Sequence, residues 1–168
     1  MPRTVVKPAL VVALTVGCVL AAAVWAPSAS FGRAPGCSAS NLALESVRTL
    51  GSAGARDWDL ALRNTGPQTC GLTGYPGVTL LDAGARPMNV TITRARRSVR
   101  RVVLRAWQRA FFTLHYESNG PCPAGIFPKG LQVFPPNGTR RLRIYHPLGV
   151  CKGDRPAVTP VRARLGGL

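Results

Sequence analysis

The sequence predicts an all-β domain, an antiparallel sandwich of about seven or eight short strands, preceded by an N-terminal hydrophobic leader or anchor helix. Three observations carry this. Large apolar residues fall at every second place in several stretches, the period of a half-buried strand. Glycine, proline and asparagine clusters punctuate those stretches at regular intervals, as turns between short strands do. The apolar fraction is 46% of 168 residues, too high for a disordered chain and sufficient for one core once a leader is set aside.

Taken in order, Met1 to about Ser30 reads as an export leader. Arg3 and Lys7 give a positive front, Val5 to Ala26 is almost wholly apolar, and Ala26-Pro27-Ser28-Ala29-Ser30 offers small residues of the kind signal peptidase accepts. The apolar run from Pro8 to Ala26 approaches a bilayer span of ~20 residues, so a retained anchor is the alternative to cleavage. Thr15-Val16-Gly17-Cys18 resembles a lipobox, with Thr15 where an aliphatic residue is usual, which makes lipidation at Cys18 a third route. Residues 31–36 then form a short linker and residues 37–165 the domain.

Within the domain, Leu42 to Leu50 is a first strand with an ambiguous pattern. In Asp57 to Arg63 the residues Trp58, Leu60 and Leu62 share one face, so Trp58 is a core candidate. Asn64 to Asp82 carries one cysteine, four glycines and two prolines and reads as a built corner. Val78 to Asp82 and Met88 to Thr93 are expected to pair as strands across Ala83-Gly84-Ala85-Arg86-Pro87. Further strands follow at Arg109 to Tyr116, Gly130 to Phe134 and Thr139 to Tyr145, the last two joined by Pro135-Pro136-Asn137-Gly138. A weaker closing strand, Ala157 to Arg164, contains Pro160, which suits an edge.

The chain has five cysteines. With Cys18 assigned to the leader, Cys37, Cys70, Cys122 and Cys151 remain, and four cysteines in an exported chain most often form two disulfides. The expected pairing is Cys37 with Cys70 and Cys122 with Cys151, because each closes a loop of moderate length. No C-x-x-C pair occurs and only two histidines exist, so no metal or other cofactor is expected.

Charge is the other strong signal. Lys and Arg number 22 against 6 Asp and Glu, a formal +16, and the lysines are Lys7, Lys129 and Lys152 alone. Such an excess draws anionic partners, among them nucleic acid, anionic lipid and envelope polymers, although arginine also serves simply to solubilise. Arg94, Arg96, Arg97, Arg100, Arg101, Arg105 and Arg109 crowd one segment with Trp107 among them. Guanidinium pairs bidentately with phosphate or carboxylate, and an exposed indole can enter a membrane surface or stack on a ring. Arg94, Arg97, Arg101, Arg105 and Arg109 would align as one stripe of an amphipathic helix; the preferred reading is a loop followed by a strand.

Other functions find less support. No recognition helix, RNA-binding signature or zinc finger accompanies the arginines, and the leader directs the chain away from nucleic acid, so specific nucleic-acid binding is not expected. His115 and His146 lie near no nucleophile motif such as G-x-S-x-G, and no catalytic residue is expected. Asp57 and Asp59 share a strand face and could hold a cation, but pairing with nearby arginines is the simpler outcome.

Cys37, Asn64-x-Gly66, Thr69-Cys70-Gly71-Leu72-x-Gly74-Tyr75-Pro76-Gly77-Val78, Asp82-x-Gly84, Cys122, Pro135-Pro136 and Cys151 together resemble an uncharacterised family of exported bacterial domains, domain of unknown function 4232. That resemblance implies an immunoglobulin-like sandwich, export and disulfides, and it brings no catalytic or ligand residues. One departure stands out: members usually carry Pro-Gly in the turn before the Arg109 strand, where this chain has Leu104-Arg105-Ala106-Trp107-Gln108-Arg109. The expectation is therefore a non-catalytic, exported envelope domain whose arginine segment meets anionic lipid or wall polymer. The alternatives are an envelope-protein interaction module with a solubilising arginine surface and, third, an envelope hydrolase.

Overall fold

The alternation at Trp58, Leu60 and Leu62 produces the strand on which the two layers meet. The computed structural model describes residues 33–52, 54–117, 125–151 and 153–165, and among these the regular structure is strand apart from one 3-10 turn at Ala39–Asn41. In chain order the strands are β1 (Leu42–Ser52), β2 (Ala55–Asn64), β3 (Cys70–Thr73), β4 (Gly77–Leu81), β5 (Thr93–Arg94), β6 (Arg101–Leu104), β7 (Arg109–Glu117), β8 (Gly125–Ile126), β9 (Gly130–Phe134), β10 (Leu142–Tyr145), β11 (Val150–Cys151) and β12 (Ala157–Val158). One sheet runs β1-β2-β7-β12-β5, and smaller sheets run β10-β9-β4, β3-β6 and β11-β8. Every ladder is antiparallel except β12 with β5.

The inner face of the large sheet, Trp58, Leu60 and Leu62 from β2 with Ala110, Phe112 and Leu114 from β7, is buried in one cluster with Leu72, Leu80, Val102, Leu104, Leu131 and Val133 from the facing strands. Each such large side chain contributes about 1.5–3 kcal/mol by leaving water. The Trp58 indole N–H donates to Ser46 Oγ at 2.8 Å, so the polar end of a fully buried ring is satisfied. All-β architecture and the antiparallel sandwich are thus present, while the leader helix and Cys18 lie outside the described residues.

Several elements differ from expectation. There are twelve short strands among the described residues, not seven or eight. β3 lies inside the stretch read as a corner; at four residues it is too short for alternation to show. The ambiguity of β1 is a β-bulge: the register with β2 shifts between Ser46 and Arg48, and one extra residue exchanges the faces. Met88 to Thr93 does not pair with β4 as a strand. Only a bridge from Leu81 to Pro87 and the Met88 N–H to Leu80 O bond (2.9 Å) form, after which Val90 N–H turns back to Met88 O. Thr93–Arg94 joins β12 instead. β10 starts at Leu142, later than Thr139, beyond a turn closed by Gly138 N–H to Pro135 O at 2.8 Å. β12 is short and internal, lying between β7 and β5; Pro160, which has no N–H, interrupts it, and antiparallel pairing with β7 resumes as a bridge between Arg162 and Phe111.

Cys37 and Cys70 are joined, as expected from loop length. Cys151 is disulfide-bonded as well, and its expected partner Cys122 lies outside the described residues. A disulfide suggests an oxidising, extracytoplasmic compartment. No helix among the described residues is long and apolar enough to cross a membrane.

Candidate functional site

The corner positions the arginine segment. Gly74 holds φ +110°, which a side chain would resist, and its carbonyl accepts the Val161 N–H at 2.9 Å. The next residue, Tyr75, donates its hydroxyl to Ala95 O at 2.7 Å and lies 3.3 Å from Arg97 O. Consecutive residues of the Gly-Tyr-Pro block therefore fasten two separate segments, 95–97 and the chain after β12. Residues 95–100 form no helix, and β6 follows, so the segment is loop plus strand and no helical basic stripe forms.

The eight predicted contact residues divide by what they touch. Arg94 lies over the Tyr75 ring, 5.4 Å from its centroid. Arg101 donates to Ala34 O and covers Gly71, where a Cβ would run into its guanidinium. Arg109 and Arg63 both donate to the Glu45 carboxylate. Burial raises the Glu45 pKa, but the hydrogen bonds and charges of Arg109 and Arg63 together outweigh it and hold the carboxyl below its usual value. Arg96, Arg97, Arg100 and Arg105 are exposed, and their side chains have no hydrogen bond or ion pair among the described residues. Four of the seven arginines thus present free guanidinium groups; Arg101 and Arg109 serve the fold.

Trp107 occupies the turn that departs from the family pattern. Gln108 N–H closes it on Arg105 O at 3.1 Å, and Trp107 sits in its third position with φ +67°. That is the backbone which glycine in a Pro-Gly turn adopts without penalty. The Trp107 backbone N–H donates to Asn64 O at 2.7 Å, the residue is 64% exposed, and Arg63 lies 5.2 Å from the centroid of its ring. Beside it runs a groove of about 440 Å³ lined by residues including Val103, Arg109, Phe111 and Ala163. A second hollow, about 170 Å³, lies between the arginine loop and the chain after β12, lined by Arg97, Ser98, Arg100, Thr159, Pro160, Val161 and Arg162. Ala163 and Arg162 are neighbours, so the two depressions follow one another along that chain.

Arg162, Thr159 and Ser98 escaped sequence reasoning. Arg162 is some sixty residues from the arginine cluster, and nothing in its immediate sequence signals a site; only the return of the chain past β7 brings it there. Arg162 Nη2 donates to Thr113 Oγ1 at 2.7 Å, and Thr113 Oγ1 donates to Asp59 Oδ1 at 2.5 Å. Asp59, 2% exposed, also accepts Arg48 Nε at 2.8 Å. Asp57 meets His115 at 2.6 Å, a histidine in place of the expected arginine. His146 lies against Trp58 with ring centroids 4.7 Å apart. Among the described residues no three His, Cys, Asp or Glu side chains cluster as metal ligands.

Residues 37–162 match the Domain of unknown function (DUF4232). The chain belongs to that family. The DUF4232 block Gly74-Tyr75-Pro76 is thus the element that fastens the candidate site, and the DUF4232 cysteines Cys37 and Cys70 tie the chain before β1 to β3. No curated protein matches the sequence. Among solved structures, a β-glucosidase from Kluyveromyces marxianus aligns at 8% identity and TM-score 0.29, over 69% of this chain and 15% of that one; a similarity that low carries no argument.

Proposed function

We propose that this DUF4232 domain is a non-catalytic binding module of the cell envelope, which holds anionic lipid or anionic wall polymer against the face formed by Arg96, Arg97, Arg100, Arg105 and Trp107. The observation that supports it is the combination at one surface of four free guanidinium groups with an indole kept exposed on a backbone conformation that glycine would occupy more cheaply. Guanidinium supplies the charge attraction, and an indole suits the boundary between water and an apolar or ring-bearing surface. Exposed Val99 and Val103 on the same segment favour a second reading, a protein partner that docks on apolar surface with the arginines only keeping the domain soluble.

Salt separates the two. Each arginine near an anionic surface is worth about 1 kcal/mol, so changing Arg96, Arg97, Arg100 and Arg105 to Ser in the oxidised full chain should weaken binding to the envelope fraction at least ~100-fold at low salt. Raising ionic strength should do much the same to the unaltered chain. Both proteins carry the same N-terminal segment, so any contact it makes cancels. Binding that survives both salt and substitution would overturn the electrostatic reading and favour the protein partner.

A further inference from the structure

The hollow between the arginine loop and the chain after β12 has the makings of a site for a single phosphate group. Arg97 and Arg100 line it with no hydrogen-bonding or ion-pair partner of their own, and no carboxylate is among its lining residues. Arg162 lines it too. Its Nη2 is directed at Thr113 Oγ1 and, at 3.5 Å, Thr159 Oγ1, while its Nε is buried with no partner at all. Arg101 Nε and Thr73 Oγ1 are buried without a partner in the same way, so what sets this hollow apart is the two free guanidinium groups of Arg97 and Arg100 beside Arg162.

We infer that Arg97, Arg100 and Arg162, with Ser98, hold the tetrahedral oxyanion of a phosphate ester. This deepens the proposed envelope-binding reading by naming the group recognised, and it rests on that reading only for the source of the ligand. Three guanidinium groups around one hollow repel one another until an anion enters; Arg97 and Arg100 have paired donors free to match phosphate oxygens, and Arg162, whose Nη2 is given to Thr113, adds its charge. A carboxylate has two oxygens in one plane, whereas a phosphomonoester has three terminal oxygens that diverge, one towards each guanidinium. The volume, about 170 Å³, is several times the ~30 Å³ share of one water, room for the group without the rest of its molecule. Both walls are fixed before binding: Tyr75 donates to Ala95 O beside Arg97, and Gly74 O holds Val161 beside Arg162. The backbone needs no further ordering when the anion arrives, and what remains to be ordered is the Arg97 and Arg100 side chains.

The test is titration of the oxidised full chain with inorganic phosphate against chloride at equal ionic strength, followed through the backbone amide resonances of Ser98, Val161 and Arg162. Phosphate should shift these resonances saturably where chloride does not, and Arg97→Gln with Arg100→Gln should weaken the effect at least tenfold, while Arg96→Gln with Arg105→Gln leaves it intact. Because Arg162 also grips Thr113, Arg162→Lys serves as a supporting variant, read only where its spectrum stays folded. Shifts equal for phosphate and chloride, or unaltered by the Arg97 and Arg100 changes, overturn the inference. Vesicles bearing phosphomonoester lipid and a soluble phosphomonoester then compete with inorganic phosphate, and whichever displaces it identifies the source. Polyglutamate displacing it equally well would overturn selectivity for phosphate. Salt-sensitive envelope binding by a parent chain that shows no phosphate shift would sink this inference alone; phosphate shifts in a parent chain that does not bind the envelope would sink the proposed function alone.

Discussion

Trp107 offers the sharpest test of how this surface is built. An L-residue in the left-handed region costs roughly 1–2 kcal/mol, and Trp107 carries that cost at φ +67° on an indole that is mostly in water. The only compensating contact described for its side chain is the Arg63 guanidinium over its ring, worth about 0.5–1 kcal/mol at an exposed site. Replacing Trp107 by Ala removes the contact and keeps the backbone cost, so it should destabilise by roughly 0.5 kcal/mol or slightly more. Replacing it by Gly removes both. Glycine enlarges the freedom of the unfolded chain, which returns about 0.4–1 kcal/mol of the relief, so Trp107→Gly should exceed Trp107→Ala in stability by roughly 0.5–1 kcal/mol. For a domain of this size that is about 2–4 °C in Tm. The assay is urea or thermal unfolding of both variants with the disulfides intact. Envelope binding should fall to the same extent in the two, because both lack the indole. Equal stability of the Ala and Gly variants, or a less stable Gly variant, would refute the claim that strain is stored in this turn.

Two further outcomes follow from the packing and the charges. A Cβ at Gly130 would stand 2.5 Å from the backbone oxygen of Ile144, so Gly130→Ala must displace β10 and should cost about 1–3 kcal/mol in chemical unfolding; Gly36→Ala, where nothing lies within 4 Å, should stay within about 0.5 kcal/mol of the parent. The Glu45 carboxyl has a folded-state pKa below its unfolded value, so its ion pairs with Arg63 and Arg109 stabilise fully above the ordinary glutamate range and fade as pH falls through the lowered value. Glu45→Gln should therefore cost about 0.5–1 kcal/mol at neutral pH, with the difference from the parent closing in acid; a gap that widens as pH falls would contradict the assignment.

Much of this protein was legible in the chain itself. Period-two alternation located Trp58, Leu60 and Leu62 on one face because a strand's side chains must alternate, and tertiary context had only to supply the partner. Loop length selected the Cys37–Cys70 bridge. Clustering marked the arginines, since charge is a property of composition. What composition does not carry is the use of each charge: Arg101 is committed to Ala34 and Arg109 to Glu45, contacts between residues more than sixty positions apart, while Arg97 and Arg100 are left free. The turn at Trp107 was visible as a departure from the Pro-Gly pattern, but its left-handed backbone was settled by the Asn64 and Gln108 hydrogen bonds across β2 and β7.

The sequence by itself determined the strand-rich character, the inner face of the large sheet, one disulfide and the excess of positive charge, because each depends on residue type or on near-neighbour spacing. Only the tertiary structure decided that β5 would leave β4 for β12, that β1 would carry a bulge at Val47, and that Arg162 would line one hollow with Arg97 and Arg100. Those outcomes depend on where distant parts of the chain return, and backbone hydrogen bonding between them has no local imprint on the residues that make it.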